Sequence, residues 1–245
     1  MDKFQFHTDL LLQEELTPLF QHDLSLSEEV IKRIFDLPQE DLVHDLCLIL
    51  SELPANEQQE EPESGGPQAP TTDVLDPERS FVIHALNLLA ALRAAEAWPV
   101  IKTFLMHPAE QLTHWLGPYI ELGLWEVVFD LMRDRFQELG SLLKEKTLAN
   151  ELRIPVLNAL VQVAWHLPIH RRAVLALLTE VMEALLTGDL PADPAFAGEL
   201  VREVRDLRAE RLQRSSHRRL HHSSSTRREW CRRRWLERWR RWKPD

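Results

Sequence analysis

The chain has 245 residues and a formal charge of −10, which is divided unevenly along its length. Residues 211–245 contain thirteen Lys and Arg against three acids, which leaves 16 basic and 36 acidic residues upstream. Because phosphates require a basic face, the acidic body argues against nucleic-acid binding by the main part of the chain. The basic C-terminal segment is the candidate for an anionic partner, and it could equally fold back onto the acidic body.

Only two cysteines occur, Cys47 and Cys231, and they do not form a CxxC pair. This spacing excludes a cysteine-based zinc site or iron–sulfur cluster and is typical of a reducing compartment. The N-terminus lacks a basic region followed by an apolar one, and no stretch approaches about eighteen uncharged apolar residues. The sequence therefore predicts a cytoplasmic protein without a transmembrane segment.

Residues 1–53 predict an N-terminal helical pair. The first helix, LSEEVIKRIFDL, has Ser27 as its N-cap, because a hydroxyl can accept a hydrogen bond from the first turn. The second helix starts at Pro38 and carries an apolar stripe at spacings of three and four residues. The stripe consists of Leu42, Leu46, Ile49, Leu50 and Leu53. Cys47 lies in the same helix and is predicted to be a small buried side chain.

A polar segment separates this pair from the main helical part. Residues 54–72 contain no large apolar side chain and concentrate Pro, Gly, Glu and Gln, so a disordered linker is predicted over 54–76. The next helix has Asp76 as its N-cap and Pro77 at its first position. It is apolar on most of its circumference, so we expect it to lie between neighbouring helices.

The remaining segments predict an all-α fold. Helical periodicity recurs within residues 95–106, 120–134, 136–146, 150–167, 171–186 and 193–212. Period-two runs of β-branched residues are absent, and only seven glycines occur. Leading helices near residues 78, 118, 150 and 194 would be spaced about 32 to 44 residues apart, a period typical of two-helix repeats. We therefore predict an array of helical hairpins, either an α-solenoid or a compact bundle.

Four segments together resemble the bacterial domain-of-unknown-function family numbered 1186. They read IHALNLLAALRAAEAWPVIKTFL, HWLGPYIELGLWE, LVQVAWHLPIHRR and EVRDLRAERL, and IFDLPQEDLVHDLCLIL is similar to the family's leading segment. The resemblance covers residues 26–212 and implies HEAT-type helical repeats, here a domain over 77–212, without implying a reaction. Two parts of the sequence differ from the family's pattern. Residues 117–122 lack most of its polar cluster, and QRSSHRRLHHSSSTRREW replaces its final helix, without the zinc motif that some members carry.

The polar residues of the body form no recognisable catalytic motif. HExxH, GxSxG and Gly-rich phosphate loops do not occur, so no catalytic residue, cofactor or metal ion is predicted. We expect His84 to be structural, with a ring nitrogen hydrogen-bonded to a carbonyl. Arg153, which matches an arginine of the family, is expected to pair with an acid or a helix C-terminus. The alternative is an enzyme or metal-dependent catalyst whose residues converge around His84 and Arg153 only in three dimensions.

Histidines and tryptophans supply the other candidates of the body. Pro168 interrupts the helical face that His166 and His170 would need as a ligand pair, so both are expected in a loop. Four tryptophans fall within apolar helical patterns: Trp98, Trp115, Trp125 and Trp165. Most are expected in the core, although a solenoid can leave one or two exposed to a protein partner. Trp115 is therefore a candidate interaction or structural residue.

Residues 213–245 form an arm dominated by Arg and Trp. If 228–243 are helical, Trp235, Trp239 and Trp242 share one face with Cys231. The arginines around this face include Arg233, Arg234, Arg240 and Arg241. Such a helix could bind an anionic membrane or single-stranded nucleic acid. The abrupt loss of Ala and Val also fits a shifted reading frame in GC-rich coding sequence, and we favour such an incidental arm over a disordered tail or a functional one.

These patterns favour one function for the chain. Continuous helical hairpins without a catalytic motif are typical of proteins that bind other proteins. We therefore expect a cytoplasmic scaffold for protein–protein interaction, with the partner on its concave surface.

Overall fold

The computed structural model describes residues 6–21, 26–53, 79–191 and 193–209, and its regular structure there is entirely helical. This confirms the predicted all-α fold. The described residues up to Ile120 form one compact unit, and those from Glu121 onward form another. The predicted linker, the N-cap Asp76 with Pro77, and the C-terminal arm all lie outside the described residues.

The first unit is built around α3, which is buried on all sides. Its helices are α1 (Glu28–Asp36), α2 (Gln39–Ser51), α3 (Ser80–Leu92), α4 (Trp98–Leu105) and α5 (Ala109–Leu116), and α6 (Tyr119–Leu122) follows in the chain. In α3 every residue except Asn87 is buried, as its apolar circumference predicted. Ser27 caps α1 as predicted, with its hydroxyl accepting a hydrogen bond from the Val30 N–H at 3.3 Å.

An N-terminal segment that the sequence did not predict packs on these helices. It consists of the 3-10 turns Thr8–Leu10 and Glu14–Phe20, and the second turn contacts α1 and α3. Leu16 and Leu19 are fully buried, and the Phe20 ring lies 5.0 Å from that of Phe81. Apolar side chains at a spacing of three residues thus join this segment to the core.

The second unit is built around α9. Its helices are α7 (Leu124–Met132), α8 (Gln137–Leu143), α9 (Asn150–His166), α10 (Arg171–Thr187) and α11 (Pro194–Ala209). The other four helices all contact α9. Helix α8 packs closely on α10 at Gly140. A Cβ at this position would lie only 2.9 Å from the side chain of Leu177.

A sharp bend separates α9 from α10. The 3-10 turn Pro168–His170 lies between them, and the two helical stretches are bent by 111°. Within the described residues no single helix is long and apolar enough to cross a membrane. Only the bent pair formed by Asn150–His166 and Pro168–Thr187 is long and apolar enough, and this judgement rests on length and composition alone.

Several local expectations need correction. Cys47 is half-buried rather than fully buried. Pro99 lies in the first turn of α4, where its missing N–H costs no hydrogen bond. The segment 120–134 is divided at Gly123 into α6 and α7, and α5 was not predicted. Helix α5 has three buried residues, Leu112, Trp115 and Leu116, too few to show a clear period.

Candidate interaction surfaces and buried polar residues

Arg153, in the first turn of α9, ties the end of α8 to the following loop. Its guanidinium is fully buried and donates hydrogen bonds to the carbonyls of Leu143 at 2.6 Å, Glu145 at 2.9 Å and Leu148 at 3.2 Å. Leu143 is the last residue of α8, so the guanidinium compensates the negative end of that helix. The helix C-terminus is one of the two partners expected for Arg153 from the sequence.

The environment of Arg153 is apolar as well as hydrogen-bonded. Its Cζ lies 5.9 Å from the ring centroid of Phe196 in α11, which is also fully buried. Desolvation by burial lowers the pKa of Arg153, and the charge of Asp193 opposes this shift. With its terminal nitrogens bonded to backbone oxygens, Arg153 has the features of a structural residue rather than of a substrate-binding one.

Two further arginines bind carbonyls near helix C-termini. Arg79 donates to the His114 carbonyl in the last turn of α5 at 2.8 Å. Arg171, at the start of α10, donates through Nε to the Leu207 carbonyl in α11 at 3.1 Å, and its Nη2 donates to the same oxygen. The Arg171 guanidinium also lies 5.7 Å from the ring centroid of Trp165. Long-range arginine caps therefore recur in both units.

His84 and Trp115 are buried in the first unit. The imidazole of His84 is 1% exposed and the indole of Trp115 is 4% exposed. Trp115 packs edge-on against Phe81, with ring centroids 5.9 Å apart, so its indole offers a protein partner little surface. The catalyst hypothesis places a site around His84 and Arg153, and each of these residues is buried within its own unit.

Asp45 is a buried polar residue that the sequence pattern did not indicate. Its carboxylate oxygens accept hydrogen bonds from the backbone N–H groups of Leu12 at 3.1 Å and Gln13 at 2.8 Å. These bonds hold the N-terminal segment against α2. The signal in the sequence is weak, because Asp45 directly precedes Leu46 of the apolar stripe and resembles any solvated acid of an amphipathic helix.

His166 and His170 lie at the bend after α9. His166 is the last residue of α9 and His170 the last of the following 3-10 turn, so the predicted loop is a helix end followed by a short helical turn. The His166 ring lies 5.4 Å from that of Phe129, and the His170 ring lies 4.8 Å from that of Phe136. The two imidazoles therefore pack against separate aromatic rings.

The outer edge of α10 is a candidate interaction surface. Its buried stripe comprises Val174, Leu178 and Val181. About a quarter-turn away, Leu175, Met182 and Leu186 fall within about 40° of one another at 100° per residue. Leu175 and Met182 are half-buried, and Leu186 is 81% exposed. We call these three side chains the α10 edge.

Within the part of the chain that the structure describes, no three His, Cys, Asp or Glu side chains are placed to hold a metal ion. The candidate residues of the arm, Arg233, Arg234, Trp235, Trp239, Arg240, Arg241 and Trp242, lie outside the described residues. Comparisons with protein-family models, curated proteins and solved structures found no match for the chain. The resemblance to the family numbered 1186 therefore stays a prediction.

Proposed function

We propose that the chain is an interaction protein that binds another protein through the α10 edge. The supporting observation is the exposure of Leu186 in line with two half-buried apolar side chains, beside a stripe that already packs α10 into its unit. An isolated exposed leucine needs no explanation, whereas a row along a helix is the pattern to which a partner helix binds.

The proposed partner presents an apolar helix face. Leu175, Met182 and Leu186 are separated by seven and four residues, so they follow about three turns of α10 on one line. A partner helix with apolar residues at spacings of three, four and seven would pack along this line. The half-buried Met182 side chain is unbranched and polarizable, and can adapt to an irregular partner surface.

Two further proposals concern the family to which the chain belongs and its location in the cell. The HEAT-like character of the repeats and membership of the family numbered 1186 rest on the resemblance of residues 26–212. A cytoplasmic location rests on the lack of a CxxC pair and the small number of cysteines.

Affinity purification at near-native expression tests the proposed surface. Leu186→Lys places a charge in the α10 edge, and Ala176→Lys places the same charge on an exposed position of the same helix about 80° from the edge. We expect Leu186→Lys to lose a stoichiometric protein partner that both the unaltered chain and Ala176→Lys retain. Recovery of the same partner by all three chains would refute the assignment to this edge.

A further inference from the structure

The bend between α9 and α10 presents an apolar side chain to solvent. We call residues 166–172 the elbow. Ile169, at the apex of the elbow, is 85% exposed, the largest exposure among the exposed large apolar side chains of the described residues. Its neighbours in sequence are Pro168 and His170, so Ile169 lies in a turn whose backbone is restricted by proline.

Aromatic ring contacts attach the elbow to the rest of the second unit. The rings of His166 and His170, on either side of Ile169, pack against Phe129 and Phe136 respectively. Because Phe129 and Phe136 are both buried, the elbow is attached to the core of the second unit. Ile169 is thus exposed on a turn that packs against the core of the second unit.

The charged residues next to Ile169 are basic, although the N-terminus of a helix favours acidic residues. The first turn of α10 contains Arg171 and Arg172 and no acidic residue. Positive side chains at a helix N-terminus are unfavourable, because the helix dipole is positive there. Arg171 is compensated by the Leu207 carbonyl. Arg172 is exposed, and no hydrogen bond or ion pair joins it to another of the described residues.

The end of α11 adds to the same basic surface. The bond from Arg171 to the Leu207 carbonyl brings the last turn of α11 beside the elbow, and the next residue, Arg208, is exposed. Asp206, two positions before Arg208, is paired with Arg205 at 3.2 Å, and Glu210, two positions after Arg208, lies outside the described residues. Arg172 and Arg208 are thus the sequence neighbours of Arg171 and Leu207, the two residues joined by the hydrogen bond between α10 and α11.

We infer that the elbow contacts an anionic lipid surface. Ile169 enters the boundary between headgroups and acyl chains, and Arg172 and Arg208 bind the phosphate and carboxylate groups of the headgroups. Single-stranded nucleic acid fits this surface less well, because it requires open aromatic faces for stacking. The elbow offers an aliphatic side chain, and its two imidazoles pack against phenylalanine rings. This contact is independent of the α10 edge.

Sedimentation of the full chain with vesicles tests the inference. The vesicles contain phosphatidylcholine with about a quarter phosphatidylserine, at about 150 mM salt, where charges more than ~8 Å apart are largely screened. We expect Ile169→Ser combined with Arg172→Gln to weaken binding roughly tenfold. The matched control, Leu122→Ser with Arg33→Gln, also removes one exposed apolar side chain and one exposed arginine, both outside the elbow and the α10 edge. It should bind within about twofold of the unaltered chain, and none should bind pure phosphatidylcholine.

Three results would overturn the inference: no binding by the unaltered chain, equal binding by the elbow double variant and the unaltered chain, or an equal loss in both double variants. A single-stranded oligonucleotide gives a parallel measurement. If the unaltered chain binds it and the elbow variant loses that binding while retaining vesicle binding, the surface is for nucleic acid and the lipid assignment is wrong. Thermal unfolding of both double variants should match that of the unaltered chain, because all four side chains are exposed.

Discussion

At the scale of single residues, Arg153, Arg171 and Asp45 use their charged groups to bind backbone. Arg153 and Arg171 donate to carbonyls near helix ends, and Asp45 accepts from two N–H groups of the N-terminal segment. Helix ends and irregular segments leave such backbone groups without partners in regular structure. A charged side chain that supplies those partners can be buried without having a role in catalysis.

Arg153→Met tests this structural role. The substitution retains an unbranched side chain but removes every hydrogen bond to the carbonyls of Leu143, Glu145 and Leu148. We expect the free energy of unfolding to fall by about 3 kcal/mol, because buried carbonyls lose charge-assisted partners. Urea denaturation followed by circular dichroism measures this loss.

The same substitution at Arg172 is the control. Arg172 is exposed and lies in the first turn of α10, so Arg172→Met should change the free energy of unfolding by no more than about 0.5 kcal/mol. Equal losses from the two substitutions would show that Arg153 contributes no more than a surface arginine.

At the scale of elements, the ends of the second unit's helices depend on local backbone geometry. Helix α10 ends at Gly188, whose φ of +80° lies in the left-handed region. Gly188→Ala should destabilise the protein by about 1 kcal/mol, because a Cβ is unfavourable in that conformation. Gly198, inside α11, has open space around it, and Gly198→Ala should stabilise by up to about 1 kcal/mol.

Thermal unfolding of these two variants is the measurement. The substitutions are chemically identical, so a difference in sign isolates the effect of backbone conformation. Stabilisation by both alanines would contradict the left-handed geometry at Gly188.

The elements that the sequence predicted are those with long apolar periods. Helices α9, α10 and α11 were expected within 150–167, 171–186 and 193–212, and each lies within about a turn of those bounds. The N-terminal segment was missed because its buried residues, Leu16 and Leu19, form no repeated period. Asp45 was missed for a related reason: its burial depends on Leu12 and Gln13, more than 30 residues away in the chain.

The exposure of apolar side chains was harder to predict than their presence in helices. Trp98 and Trp115 are buried, whereas Trp125 and Trp165 are half-buried, although all four fall in similar local patterns. A helical period shows which side chains share a face, but exposure depends on which neighbouring helix covers that face. For the same reason the α10 edge could be recognised only from the structure.

At the scale of the whole molecule, the contribution of the arm to stability can be predicted from α11. The buried stripe of α11 is Phe196, Leu200, Val204 and Leu207, and each is at most 4% exposed. On its surface Arg202 pairs with Glu199 and Glu203. Val201 is the one large apolar side chain exposed on the described part of α11. A helix whose apolar stripe is buried and whose outer face is mostly charged needs no further cap.

Deletion of residues 213–245 should therefore leave the melting temperature of the body within about 2 °C of that of the full chain. Differential scanning calorimetry of both chains measures the change. A fall of about 10 °C would mean that the arm packs on the body as a replacement for a final helix, which α11 gives no reason to expect.

The proposed function requires that the α10 edge contact a protein, and site-specific photo-crosslinking in the native cells tests this requirement. A photo-reactive phenylalanine derivative replaces Leu186 in one chain and Ala176 in another, both exposed positions on α10. We predict that irradiation yields one discrete protein adduct from position 186 and none from position 176. No adduct from position 186, or the same adduct from both positions, would contradict the proposed function.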